Sequence, residues 1–167
     1  GRATVSLGYI GLYEVATAFY GPAWESDPEA KALTVSILES LRDHAKSWAA
    51  ESGYWVSVYS TPSESLTDRF CRLDKERFGS VPDITDKDYY TNSFHYDVRK
   101  NPTPFEKLDF EAEYAQYTSG GFIHYCEYPV LRQNPKALEA VWDYAYDRVG
   151  YLGTNTPIDR CYECGYA

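Results

Sequence analysis

The chain has 167 residues, 44% hydrophobic and 25% charged, which fits one globular domain with a substantial core and excludes a disordered chain. Its net charge of −9 opposes nonspecific binding to nucleic acid and to anionic membranes, and no apolar run approaches the roughly 20 residues that span a bilayer. The opening GRATVSLGYIG lacks the apolar stretch of a signal peptide, so a soluble, cytoplasmic protein is the expectation. With no Met and a first residue of Gly, the chain is also expected to be processed, excised or part of a longer polypeptide.

In chain order, a short β-like run covers Thr4 to Tyr9, and a helix is predicted from Leu12 to Phe19, stopped at Gly21. Next comes the clearest helix. Ser26 and Asp27 are N-cap candidates, Pro28 suits the first turn, and Gly53 is a natural stop. Leu33, Ile37, Leu38, Leu41, Ala45 and Trp48 form its predicted apolar face, with His44 packed on the same side. A strand from Tyr54 to Tyr59 runs into a helix predicted from Pro62 to about Leu73.

The middle, from Gly79 to Tyr114, is rich in Pro and Asp and reads as loops. Inside it YYTNSFHYDV reads as a strand, with Thr91, Ser93, His95 and Asp97 on alternate positions. GGFIHYCEY is another strand. In QNPKALEAVWDYAYDRVGY, Asn134 is the predicted cap, Pro135 the start, and Leu138, Val141, Trp142, Ala145 and Val149 the stripe. The extended piece YLGTNTPID leads into CYECGYA. Strands alternating with striped helices predict an α/β fold with mainly parallel strands.

Thr61-Pro62-Ser63-Glu64 has the form of a capping box with proline at the first helical position. One reading ends there, with a well-made helix start. The other notes that the joint lies at the carboxyl end of a strand, where α/β proteins hold ligands, and that a helix start offers free amides to an anion. Ser63 and Ser65 add hydroxyl donors beyond what capping needs, so the joint also reads as a phosphate or carboxylate cradle.

Of the four cysteines, Cys71 and Cys126 are isolated in apolar surroundings and read as reduced core thiols. Cys161 and Cys164 form a C-x-x-C followed by Gly, half of a four-cysteine zinc pattern. A redox pair and two unrelated thiols are the rival readings.

In order and spacing, GRATVSLGYIGLYE, YSTPSESLTDRFCRLD, DKDYYTNSFHYDV, GGFIHYCEYP, ALEAVWDYAY and YLGTNTPIDRCYECG resemble the catalytic subunit of anaerobic (class III) ribonucleotide reductase, a glycyl-radical enzyme. The resemblance covers essentially the whole chain. It implies a β/α barrel of ten strands, residues 1–153 forming much of its second half and residues 154–167 the start of a zinc-binding segment. It implies that Thr61, Ser63, Glu64 and Ser65 lie where the family holds the phosphates of a ribonucleoside triphosphate, with backbone amides as the main donors. Cys161 and Cys164 match the first pair of a structural zinc site.

The resemblance further implies reduction of ribonucleoside triphosphates to deoxyribonucleotides by glycyl and thiyl radical chemistry. It implies an iron–sulfur, S-adenosylmethionine-dependent activating enzyme as partner, the remainder of the reductase chain, and a homodimer. The thiyl cysteine and the radical glycine are expected outside these residues, so the chain alone is expected to be inactive. Asn92, His95 and His124 receive no role beyond structure. The competing expectation is a free-standing acidic α/β module that binds a phosphorylated small molecule without catalysis.

Overall fold

The fold was taken from a computed structural model, which describes residues 3–60, 62–129, 131 and 134–156. Its strands are β1 (Thr4–Gly8), β2 (Trp55–Tyr59), β3 (His124–Glu127) and β4 (Leu152–Asn155). Its helices are α1 (Leu12–Tyr20), α2 (Pro28–Ser52), α3 (Glu64–Phe78), α4 (Pro104–Ala112) and α5 (Pro135–Tyr146). β1 pairs with β2 and β3 with β4, both in parallel. Each pair is joined through helices, as parallel neighbours require. The α/β expectation therefore matches the structure.

A parallel bridge between Ser60 and Phe122 links the carboxyl end of β2 to the approach to β3. There the Gly120 N–H donates to Val58 O at 2.7 Å and the Ser60 N–H to Gly121 O at 3.0 Å. A Cβ on Gly120 would lie 2.7 Å from Ser57 Oγ and 2.9 Å from Val58 O, so only glycine lets the two segments approach this closely.

α2 starts and stops as its sequence dictates. The Asp27 carboxylate accepts from the Glu29 N–H at 2.9 Å, Pro28 opens the first turn, and Gly53 ends it in the left-handed region at φ 70°. Its fully buried line runs through Ala30, Thr34, Leu38 and Ala45. Of the larger side chains predicted to face inward, Leu38 lies in that line and Leu33, Ile37 and Leu41 flank it half-buried. Trp48 is 47% exposed. His44 lies about 120° round the helix from Leu38 and is exposed, not packed. Trp142 on α5 is likewise half-exposed beside buried Val141 and Ala145, and Asn134 caps α5 without a side-chain hydrogen bond.

Two expectations about the middle fail. Residues 89–98 form no strand. They make one antiparallel bridge, Ile10 to Asn92, and turn at Ser93 with φ 45°. Carboxylates replace the missing ladder: the Thr91 N–H donates to Glu14 Oε1 at 2.9 Å and the Tyr96 N–H to Glu111 Oε1 at 2.9 Å. The loop-rich stretch also contains α4, opened by a complete capping box between Thr103 and Glu106.

The main core gathers Leu12, Tyr13, Leu38, Phe94 and Phe110 from α1, α2, α4 and the turn at 94, with Trp24 from the turn before α2 and Tyr114 from just after α4. A second cluster places Leu108 and Cys126 against Val141 and Ala145. Cys71 and Cys126 are buried and free, in agreement with their reading as core thiols. Among the described residues, no helix is long and apolar enough to cross a membrane.

Candidate functional site

The start of α3 differs from the sequence expectation. The helix begins at Glu64 with Ser63 as N-cap, so Glu64 occupies the first helical position and not the third. Ser63 makes no side-chain capping bond. Instead the Ser63 N–H donates to Asn92 Oδ1 at 2.8 Å. Asn92 sits in the bridge to Ile10, so the loop of residues 89–98 holds the helix start in place. Ser63 is half-buried and Ser65 exposed. Thr61 and the Glu64 side chain lie outside the described residues, as do Cys161 and Cys164.

Beside this helix start lies a cavity of about 320 Å³. Pro62, just beyond β2, Glu127, the last residue of β3, and Asn155, the last of β4, all line it. Three parallel strands therefore end on one cavity, the place where α/β sheets receive ligands. The rest of its wall mixes polar and charged Lys87, Asn92, His95, Asp97, Arg99 and Lys107 with Tyr89, Tyr96, Val98 and Tyr125. A larger cavity of about 470 Å³ lies between α1 and α3, walled mainly by Ile10, Val15, Ala18, Phe70 and Leu73. Its few polar groups, Glu14, Asp74 and Tyr90, give it less to recognise a charged ligand with.

Two buried carboxylates organise the charged wall. Glu111 is fully buried on α4. Its Oε1 accepts from the Tyr96 N–H and from Lys107 Nζ, one turn earlier. Its Oε2 faces two imidazoles, His124 Nδ1 at 2.7 Å and His95 Nδ1 at 3.1 Å. Burial alone would raise this carboxyl. The charges of His95 and Lys107 and the His124 hydrogen bond outweigh burial and hold it well below the usual carboxylate range.

The second organiser is Glu14 on α1, which pairs with Lys87 and accepts from Thr91 Oγ1 at 2.7 Å. Lys87 Nζ also lies 3.6 Å from Asp97 Oδ2. Asp97 in turn accepts from Arg99 Nη2 at 2.7 Å and from Arg99 Nε at 3.1 Å. Burial pushes the Asp97 carboxyl up, but these hydrogen bonds and the Lys87 charge bring it below its ordinary value. The cations of the wall are thus fixed from behind by carboxylates, with donors left over: lysine has three and arginine five. Asp97 and Glu127 offset part of that positive charge on the same wall.

The joint after β2 that the sequence singled out lies beside this cavity, and the side chains around it were missed. Asn92, His95, Lys107 and Glu111 were not assigned to a site. The alternation of Thr91, Ser93, His95 and Asp97 was a usable signal, since all four are buried. So was the Lys107–Glu111 spacing of one helical turn.

A family model described as anaerobic ribonucleoside-triphosphate reductase matches residues 1–167. The chain is 56% identical over 167 residues to the anaerobic ribonucleoside-triphosphate reductase of Escherichia coli (strain K12), covering 99% of this chain and 24% of that protein. It is 46% identical over 165 residues to the anaerobic ribonucleoside-triphosphate reductase of Enterobacteria phage T4, covering 99% of this chain and 26% of that one. Among solved structures it is similar to an anaerobic ribonucleotide reductase with a TM-score of 0.74 at 18% identity, covering 99% of this chain and 28% of the other. The Thermotoga maritima anaerobic ribonucleotide reductase in complex with dATP and CTP gives a TM-score of 0.71 at 18% identity, covering 99% and 29%. At that identity the solved structures speak to fold alone. The chain spans about a quarter of the length of the curated relatives it matches.

Proposed function

Because the chain belongs to the anaerobic ribonucleoside-triphosphate reductase family, we propose that it works as part of the catalytic body of such a reductase and holds the substrate's phosphates. In this reading β1 to β4 and their helices are a portion of a ten-stranded β/α barrel. The phosphates of a ribonucleoside triphosphate lie at the start of α3, around Thr61, Ser63, Glu64 and Ser65, with backbone amides as donors and the helix dipole favouring the negative charge. One observation carries the reading: three parallel strands end on the donor-rich cavity beside the α3 start, which Asn92 fixes.

The chain's own residues bind and orient in this scheme. The radical chemistry comes from a glycyl radical, generated by an iron–sulfur, S-adenosylmethionine-dependent activating enzyme and passed to a cysteine, and serves to reduce the ribose. We assign none of it to the described residues, since Cys71 and Cys126 are buried thiols whose burial pushes them up from the ordinary thiol range. Cys161 and Cys164 furnish two of the four thiolates of a structural zinc site. The remainder of the reductase chain and a second copy complete the enzyme. A free-standing binding module is disfavoured by a family match that runs over residues 1–167.

Equilibrium binding of CTP and of cytidine to the chain tests the reading. CTP is expected to bind and cytidine to bind at least about tenfold more weakly, and Ser65→Glu, which adds negative charge at the helix start, should weaken CTP by a similar factor. Equal binding of the two, or no binding of CTP, rejects the phosphate site.

A further inference from the structure

Tyr125 and Gly153 are partners in the parallel register of β3 and β4. On β3 the burial alternates: His124 and Cys126 face the core, so Tyr125 and Glu127 face the opposite side of the strand pair. Tyr125 and Glu127 both line the cavity beside the α3 start, as does Asn155, the register partner of Glu127, whereas His124 and Cys126 do not. The cavity therefore opens on this face of β3 and β4.

Gly153 shapes that face. A Cβ there would lie 2.9 Å from Tyr125 Cδ1 and 3.1 Å from Tyr125 Cε1, so the phenol ring leans across β4 into space that another side chain would fill. The ring is half-buried and belongs to neither hydrophobic cluster of the described residues. It rests on a glycine and borders a cavity, where a core aromatic would be enclosed by side chains. The rest of the wall defines what the ring meets. Lys87, Arg99 and Lys107 are offset in part by Asp97 and Glu127, so the cavity is polar without a strong charge of one sign. Its volume of about 320 Å³ is at the small end of ligand pockets, roughly 300–1,000 Å³. A flat, uncharged, hydrogen-bonding group fits such a space better than a bare anion does.

We propose that the Tyr125 ring is the platform on which the base of the bound nucleotide stacks, and that Gly153 is the positioning residue that lays the ring there. The proposal rests on the phosphate reading of the α3 start and adds to it the place of the nucleoside, across the cavity from Pro62. Stacking on one aromatic face accepts every base, since each has a π-face, so the platform orients the nucleotide without choosing among bases.

NMR of the labelled chain with CTP reads the contact directly, as nuclear Overhauser effects between the Tyr125 ring and the cytosine ring protons; these are expected in the parent chain and in Tyr125→Phe. Binding of CTP, ATP and inorganic pyrophosphate to variants then separates the nucleoside from the phosphates. Tyr125→Leu should weaken CTP and ATP by about tenfold or more and leave pyrophosphate within about twofold, while Tyr125→Phe keeps all three within about threefold. Gly153→Ala pushes the ring aside and should weaken CTP, again without changing pyrophosphate.

CTP that binds without contact to the Tyr125 ring, or that binds Tyr125→Leu as tightly as the parent, overturns the platform and leaves the phosphate site standing. Equal losses for CTP and pyrophosphate in Tyr125→Leu make the ring a support of the site's fold and also overturn it. Should Tyr125→Leu fail to fold, the contacts in the parent and in Tyr125→Phe still decide. If the parent binds neither pyrophosphate nor CTP, the phosphate reading fails and the platform with it.

Discussion

Asn92 Oδ1 accepts the hydrogen bond of the Ser63 backbone N–H at 2.8 Å, so the first turn of α3 is secured by a side chain 29 residues further along the chain. Asn92→Ala removes that acceptor and should cost about 1 kcal/mol, read as a lower midpoint in urea. Asn92→Asp keeps the acceptor and adds negative charge at the helix start, so stability should hold or rise while pyrophosphate binding weakens. An Asp variant that binds pyrophosphate as tightly as the parent chain would contradict an anion site there.

Glu111 ties α4 to β3 and to the turn at 95 and 96 through His124, His95 and the Tyr96 N–H. Glu111→Ala would leave Lys107 and that backbone N–H buried without their acceptor. Removing one partner of a buried ion pair typically costs about 3–5 kcal/mol. The alanine variant is expected to be partly or wholly unfolded at room temperature, and Glu111→Gln, which keeps the shape and loses the charge, to fall between it and the parent. Circular dichroism during urea titration measures all three; a parent-like midpoint for Glu111→Ala would remove Glu111 from any structural role.

The same carboxylates set the acid limit of the fold. Burial opposes ionisation of Glu111 and Asp97, but the neighbouring cations and hydrogen bonds prevail and leave both below their ordinary values. The native state therefore holds fewer protons than the unfolded chain as pH enters the carboxylate range. The stabilisation is complete above that range and is lost as pH falls through it toward the depressed native values. The urea midpoint should be flat from about pH 7 to 5 and fall steeply below about pH 4.5, with a shallower fall in Glu111→Gln. An equal acid slope in the Gln variant would show that Glu111 is not ionised in the native state.

Local signals carried much of the fold. α1, α2 and α5 have caps, stops or stripes that can be read within a few residues, and all four strands lie inside predicted extended segments. The segment 89–98 was misread because Thr91, Ser93, His95 and Asp97 are buried as on one face of a strand, with Phe94 buried between them, while its backbone partners are not strands. They are Glu14 and Glu111, 77 and 15 residues away in sequence. The candidate site follows the same division. Its position at the end of β2 was legible from chain order, whereas its charged wall is assembled by contacts between distant segments. The alternation around His95 and the Lys107–Glu111 spacing mark burial and pairing, and neither they nor Lys87 say locally that these residues share a cavity.

The clearest case is one pattern with two outcomes, Thr61-Pro62-Ser63-Glu64 and Thr103-Pro104-Phe105-Glu106. At the second the capping box forms: the Glu106 N–H donates to Thr103 Oγ1 at 3.2 Å and the Thr103 N–H to Glu106 Oε2 at 2.8 Å. At the first, the helix starts two residues later than Pro62, and the N–H of its N-cap residue, Ser63, donates to Asn92 Oδ1. The difference that the described residues show is the Asn92 carboxamide beside the first. Thr103→Ala should therefore cost about 1 kcal/mol, while Ser63→Ala, which removes a hydroxyl that makes no capping bond, should change stability by less than about 0.5 kcal/mol. In the Asn92→Ala background the N-cap residue is no longer held from outside and the Ser63 hydroxyl can turn to accept from the first-turn amides, so adding Ser63→Ala there should cost more than in the parent chain. A double-mutant cycle in urea measures the difference. Strict additivity of the two substitutions would mean that Asn92 is not what displaced the local cap.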